Sequence, residues 1–263
     1  MIIVPPQHGG IYILTHMDIR QYLDSTYLKT PEQAGLAADQ NAEVVRKVVE
    51  EAIQEHFKLV MVRPNMVAMA KAMTSEAGAM VSVGTVIDFP EGKSALGAKL
   101  DEAQQAIDDG AEELDFVLNY EAFKAGDVTA VKEQVLECTR LGLSNKKVVK
   151  WIIEVAALDN HQIVQLSALV KNVVMTHFEE GDYNNVFVKS STGFYPTENG
   201  TPNGATPESI QLMLENSFPL PVKAAGGVRS YDEAIQILNM GVKRIGTSSA
   251  KAIADGGPVT GSY

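Results

Sequence analysis

Cysteine is nearly absent from this 263-residue chain: Cys138 stands alone. No intrachain disulfide can form, and a reducing compartment suits such a protein. Positive charge is also scarce, with 22 Lys and Arg against 33 Asp and Glu and a formal net charge of −11. Nucleic acids and anionic membranes both need a basic footprint, so neither is expected as a partner. No apolar run approaches the roughly 20 residues that span a bilayer. The opening residues 1–6 place Ile2, Ile3 and Val4 before Pro5 and Pro6, without the basic region or longer apolar core of a signal peptide. A cytoplasmic location is the expectation. No linker rich in Pro, Gly or Ser divides the chain. Residues 1–263 therefore read as a single domain ending in a short Gly-rich tail, 255–263, expected to be mobile.

What the chain does contain is apolar material, 45% of its residues, in a regular alternation. Short apolar runs at 19–24, 59–63, 81–88, 112–118, 148–154, 185–190, 222–225 and 244–246 read as strands. Amphipathic stretches at 96–108, 130–141, 160–177 and 207–214 read as helices between them. Capping boxes at Thr30/Gln33 and Ser230/Glu233, and Pro207 after Thr206, mark helix starts. Strands alternating with helices pair in parallel, because parallel neighbours need a crossover. Eight such units predict an α/β fold of the (β/α)8 TIM-barrel type. The stretch 195–205 then reads as an extended βα loop, the kind that carries barrel active sites.

Alternate strand residues point into a barrel. In Val186-Phe187-Val188-Lys189 the valines take the helix side, which leaves Lys189 inside with Phe187. By the same parity Lys223 and Asp115 point inward, Lys150 and Glu154 share one side, and Asp24 closes the first strand. An isolated buried charge costs several kcal/mol, so these groups should be paired or catalytic. A satisfied ion-pair network of Lys150, Glu154, Asp115 and Asp24 is one reading. Stability alone gives no reason to set Lys189 and Lys223 on successive βα units, where each disfavours the charge of the other. Chemistry does. A lysine near pKa 10.4 is only about 0.04% free amine at pH 7, and lowering it by three units raises that fraction about a thousandfold. A free amine condenses with a carbonyl, and the protonated imine draws electrons from the adjacent carbon–carbon bond. Asp115 can move protons nearby. Two lysines and an aspartate fit aldol cleavage or condensation.

Three late βα junctions are rich in small residues: Ser191-Thr192-Gly193, Ala225-Gly226-Gly227 and Gly246-Thr247-Ser248-Ser249. Gly193, Gly226, Gly227 and Gly246 would let backbone N–H groups approach an anion, Ser248 and Ser249 add hydroxyl donors, and Arg229 could add charge. A small phosphorylated aldehyde or sugar is the expected ligand. The histidines His8, His16, His56, His161 and His177 lack ligand spacing, so no metal is expected. Met66, Met69 and Met73 at helical spacing read as packing.

Phe187-Val188-Lys189-Ser190-Ser191-Thr192-Gly193-Phe194 and Val222-Lys223-Ala224-Ala225-Gly226-Gly227-Val228-Arg229 resemble the deoxyribose-phosphate aldolases. Leu23-Asp24-Ser25-Thr26, Glu113-Leu114-Asp115-Phe116-Val117 and Lys150-Trp151-Ile152-Ile153-Glu154 extend the likeness over nearly the whole chain. The resemblance implies reversible cleavage of 2-deoxy-D-ribose 5-phosphate to glyceraldehyde 3-phosphate and acetaldehyde, without cofactor. It implies Lys189 as the Schiff-base lysine, Lys223 as the lysine that tunes it, and Asp115 as the proton-transfer group. Asp24, Lys150 and Thr192 would support the site, Tyr263 would match a C-terminal tyrosine that assists proton transfer, and a homo-dimer or tetramer is possible. Val155-Ala156, the cysteine-free second strand Leu59-Val60-Met61-Val62 and the long 195–205 loop depart from the family pattern. Two other readings stand beside it: a lysine-dependent barrel acting on a ketone donor, and a phosphate-binding barrel without catalysis.

Overall fold

The computed structural model describes residues 18–198 and 201–256. Eight parallel strands close into a barrel in chain order, each paired with its sequence neighbours and β8 with β1. The strands are β1 (Leu23–Thr26), β2 (Leu59–Val62), β3 (Ser82–Ile87), β4 (Glu113–Val117), β5 (Val148–Ile152), β6 (Val186–Lys189), β7 (Val222–Ala225) and β8 (Arg244–Thr247). Around them run α1 (Pro31–Ala34), α2 (Ala38–Gln54), α3 (Val67–Glu76), α4 (Leu96–Asp108), α5 (Tyr120–Lys124), α6 (Val128–Ser144), α7 (Asn160–His177), α8 (Pro207–Ser217), α9 (Tyr231–Asn239) and α10 (Ala250–Ala254). The (β/α)8 barrel expected from the alternation is the observed architecture.

Local chemistry sets the element ends. Thr30 accepts from the Gln33 N–H while Gln33 returns a bond to Thr30, and Ser230 does the same with Glu233. Each box satisfies donors left over at a helix start. Pro207 occupies the first turn of α8, where its missing N–H has no partner to lose. The one misplaced strand is the first. Residues Ile19–Tyr22 form a 3-10 turn capped by the Asp18 carboxylate, which accepts from the Arg20 N–H, and β1 runs instead over Leu23–Thr26. Buried Ile19 mimics a strand residue in sequence, whereas Ser25 and Thr26, polar by type, pair with Val60 and Met61. Asp24 consequently lies within the strand rather than at its end.

The main apolar core lies between strands and helices. Val60, Val62, Val149, Val186, Val188, Val222 and Ile245 face this layer. Trp151 stacks on Phe116 with centroids 5.1 Å apart and donates its indole N–H to Thr139 of α6. Met66, Met69 and Met73 pack against the same layer, as their spacing suggests. With the apolar parity of every strand spent on the helices, the other parity fills the barrel.

Candidate active site

That inward set is divided in two. Beside β2 and β3 it is apolar: Leu28, Leu59, Met61 and Val86 form a separate small cluster, covered by Phe89 and Phe194. From β4 round to β8 and β1 it is charged. Asp115 of β4 stands at the centre, completely buried. Its Oδ1 accepts from Lys150 Nζ at 2.6 Å, and its Oδ2 from Lys189 Nζ at 2.8 Å and Lys223 Nζ at 2.9 Å. Lys223 also pairs with Asp24 at 2.5 Å. Below, Arg244 of β8 donates from Nε to Asp24 at 2.7 Å and forks onto Glu113 at 3.2 and 3.1 Å, while Lys150 pairs with Glu113 at 2.6 Å. Register sets Asp115 beside Lys150 and Lys189 beside Lys223, with Lys189 two residues further along its strand than the partner of Lys150.

The charges do not balance. Lys150, Lys189, Lys223 and Arg244 are four cations joined to the three anions Asp24, Glu113 and Asp115. One proton too many is held, and the set becomes neutral when one lysine releases it. Lys189 is that lysine. Burial lowers its pKa to about 8, Asp115 opposing and Lys223 adding to the fall. Lys150 is raised instead: burial acts against its charge, but Asp115 and Glu113 outweigh it. Burial also opposes ionisation of Asp115, yet the three ammonium groups hold its carboxyl well below the usual range. At pH 7 a pKa of about 8 leaves about a tenth of Lys189 as free amine. The gain over ordinary lysine is a few hundredfold rather than the thousandfold expected from sequence. Asp115 relieves part of the burial.

Glu113 and Arg244 were missed by the sequence reading. Their signal was available: Glu113 lies two residues before Asp115, and Arg244 two before Gly246, on the inward parity. Glu154 needs correction in the other direction. It does not join the ion-pair network. Its carboxylate instead accepts from the N–H and the hydroxyl of Thr192, because the chain turns at Glu154 with φ +58° and the strand parity no longer applies.

At the mouth, Gly226, Gly227, Arg229, Gly246, Ser248 and Ser249 line one small cleft between the β7 and β8 ends. The β6 loop reaches the same place. A Cβ on Gly204 would lie 2.4 Å from the Gly226 carbonyl oxygen, so the two backbones meet closely only because neither residue has a side chain. Gly193 borders this contact. Gly246 has a second reason to lack a side chain, since a Cβ would come 3.0 Å from Lys223 Cε. Arg229 is exposed, and its backbone N–H is held by Glu233. Tyr263, and with it most of the 255–263 tail, lies outside the described residues.

Residues 21–256 match the family model described as DeoC/LacD family aldolase. The chain belongs to that family. A deoxyribose-phosphate aldolase of Thermococcus gammatolerans is 38% identical over 241 residues, 91% of this chain and 96% of the relative. One from Lactiplantibacillus plantarum is 37% identical over 90% of this chain and 99% of its own. Among solved structures, the tetrameric deoxyribose phosphate aldolase of Aeropyrum pernix superposes with a TM-score of 0.72 at 29% identity, covering 89% of this chain and 88% of that one. This aldolase-family chain is thus an enzyme, a carbon–carbon lyase. Among the described residues no helix is long and apolar enough to cross a membrane.

Proposed function

We propose that the chain is a class I aldolase that reversibly cleaves 2-deoxy-D-ribose 5-phosphate to D-glyceraldehyde 3-phosphate and acetaldehyde through an imine on Lys189. The observation that carries this is the buried Lys189 amine, 2.8 Å from a carboxylate it shares with two other lysines and with a pKa of about 8. A metabolic place in deoxyribose phosphate breakdown and a cytoplasmic location accompany the reading. So do one domain over 1–263 and a homo-dimer or tetramer.

The chemistry follows from the arrangement. Neutral Lys189 adds to the C1 carbonyl of the open-chain sugar, and loss of water leaves a protonated imine. Asp115, ionised and within hydrogen-bond reach of Lys189, is the base that moves protons in this step. Removal of the C3 hydroxyl proton then breaks the C2–C3 bond. Its electrons enter the imine to form an enamine, and glyceraldehyde 3-phosphate leaves. Protonation at C2 and addition of water return the amine and release acetaldehyde. Lys223 and Lys150 keep Asp115 charged while Lys189 becomes part of the substrate. Asp24 holds Lys223 in place. The phosphate takes the backbone N–H groups around Gly193, Gly226, Gly227 and Gly246, with Ser248, Ser249 and Arg229 at the rim. Tyr263 is assigned to assist proton transfer from the tail. No cofactor enters any step.

Borohydride reduction in the presence of 2-deoxyribose 5-phosphate, followed by peptide mass mapping, tests the proposal. A reduced adduct on Lys189 is the expected result. Binding of the phosphate ester with no adduct would replace the aldolase reading with that of a binding barrel.

A further inference from the structure

Glu154 is a buried carboxylate, 1% exposed, that the reaction as written does not use. Its backbone lies at φ +58°, in the left-handed region that residues with a side chain rarely adopt. The flanking chain is pinned to β6: Ile153 N–H donates to the Lys189 carbonyl at 3.0 Å and Val155 N–H to the Ser190 carbonyl at 2.9 Å. Glu154 is thereby held against the strand that carries the reactive lysine. Its Oε2 takes both the N–H of Thr192, at 3.1 Å, and the Thr192 hydroxyl. The other oxygen, Oε1, is buried and has no hydrogen-bond partner among the described residues. Oε2 is thus committed to Thr192, with the Ser191 hydroxyl acting on the same carboxylate.

The consequence is directional. Burial raises the Glu154 pKa and the two bonds from Thr192 act against that rise; as a carboxylate Glu154 only accepts, so the single hydroxyl hydrogen of Thr192 is spent on it. Phe194 N–H donates to the same Oγ1 at 3.0 Å, which uses one lone pair. What remains of the hydroxyl can only accept. The next residue, Gly193, has φ +79°, gives its carbonyl to Asn203 Nδ2 at 3.0 Å, and borders Gly226 at the cleft between the β7 and β8 ends. One carboxylate therefore anchors the hydroxyl and the backbone wall that follow Lys189.

We propose that Glu154 is a positioning residue for the aldehyde-acceptor half of the substrate. It presents Thr192 as a hydrogen-bond acceptor and fixes the Gly193 wall, so the site selects a phosphorylated aldehyde bearing a hydroxyl that can donate. A keto or ether oxygen in that place would meet the Thr192 lone pair and be rejected. This rests on the proposed imine chemistry at Lys189.

The test compares Glu154→Gln, Thr192→Val, Thr192→Ser and the Glu154→Gln/Thr192→Val double variant in cleavage of 2-deoxyribose 5-phosphate. Glu154→Gln is expected to raise KM by about tenfold, the scale of a lost charge-assisted hydrogen bond, with a much smaller change in kcat. Thr192→Val should match it, Thr192→Ser should restore KM to near the parent value, and the double variant should be no worse than Thr192→Val. An unchanged KM, equal losses in kcat and KM, or independent effects that multiply in the double variant would overturn the proposal. If Glu154→Gln fails to fold, the Val and Ser variants at Thr192 still decide whether the hydroxyl sets KM. Acetaldehyde trapping by borohydride on the unaltered enzyme separates the two readings. Without an adduct there, the imine reading fails, and calorimetric binding of glyceraldehyde 3-phosphate to the parent and to Thr192→Val decides the role of Thr192. Weaker binding to the variant upholds it, and equal binding ends it.

Discussion

The two halves of the barrel interior make opposite use of the same strand geometry. Beside β2 and β3, Leu59, Met61 and Val86 fill the inside with hydrocarbon, and the ends of Met61 and Leu59 close over bare Gly84, where a Cβ would lie 2.8 Å from Met61 Cε. From β4 round to β8 and β1 the corresponding positions hold a chain of ion pairs running from Glu113 through Arg244, Asp24 and Lys223 to Asp115, Lys150 and Lys189. The apolar half needs nothing but close packing. The charged half tolerates burial only because each charge has a partner, and its one surplus proton sits on Lys189. On the proposed chemistry, reactivity is the residue of an imperfect balance. A barrel interior of paired charges alone would be as inert as the hydrocarbon side.

The largest expected effect breaks the charged half at Lys189, the proposed nucleophile. Lys189→Met should lower cleavage activity by on the order of 10^4-fold or more, as loss of a covalent nucleophile does, while circular dichroism stays that of the parent. The same variant exposes a stability effect. A folded-state pKa of about 8, below the ordinary lysine value, means that the unfolded chain binds more protons between pH 8 and 10.5. Parent stability should thus rise across that window relative to Lys189→Met, by about 3 kcal/mol in all. A flat difference between the two denaturation curves would show that Lys189 is not charge-penalised in the fold.

Next come substitutions that exchange the character of the halves. Asp115→Asn leaves three ammonium groups without their shared carboxylate and should cost roughly 3–5 kcal/mol in urea unfolding as well as most of the activity. Met61→Glu puts an unpaired carboxylate into the apolar side and should cost several kcal/mol for the opposite reason. If either variant unfolds at the parent's urea midpoint, the division of the interior has no energetic meaning. The smallest effect is a shift rather than a loss. With the parent, kcat/KM for cleavage should climb as Lys189 sheds its proton, inflecting near pH 8. Lys223→Leu removes a repelling charge and a competitor for Asp115, so the inflection should move upward by roughly one unit. An unmoved profile would leave burial alone as the cause.

Much of this was legible in the chain itself. The eight strands follow from the alternation of apolar and amphipathic runs, and the inward parity of Lys189, Lys223, Asp115 and Lys150 from a two-residue period, because side chains of a strand alternate whatever their surroundings. Capping boxes at Thr30 and Ser230 are equally local, since a helix end satisfies its own donors within one turn. Ile19 misled because a buried 3-10 turn and a buried strand start carry the same apolar signal. Glu154 misled because parity ends where the backbone turns to φ +58°.

The sequence by itself determined which residues enter the barrel and which face its helices. Only the tertiary structure decided who meets whom there. That Asp115 serves three lysines, that Arg244 ties Glu113 to Asp24, and that Glu154 turns away to hold Thr192 depend on strands far apart in the chain closing into one barrel. Electrostatic energies fall with distance across space, not along sequence, so the pKa of Lys189 is a property of the closed barrel and of no segment within it.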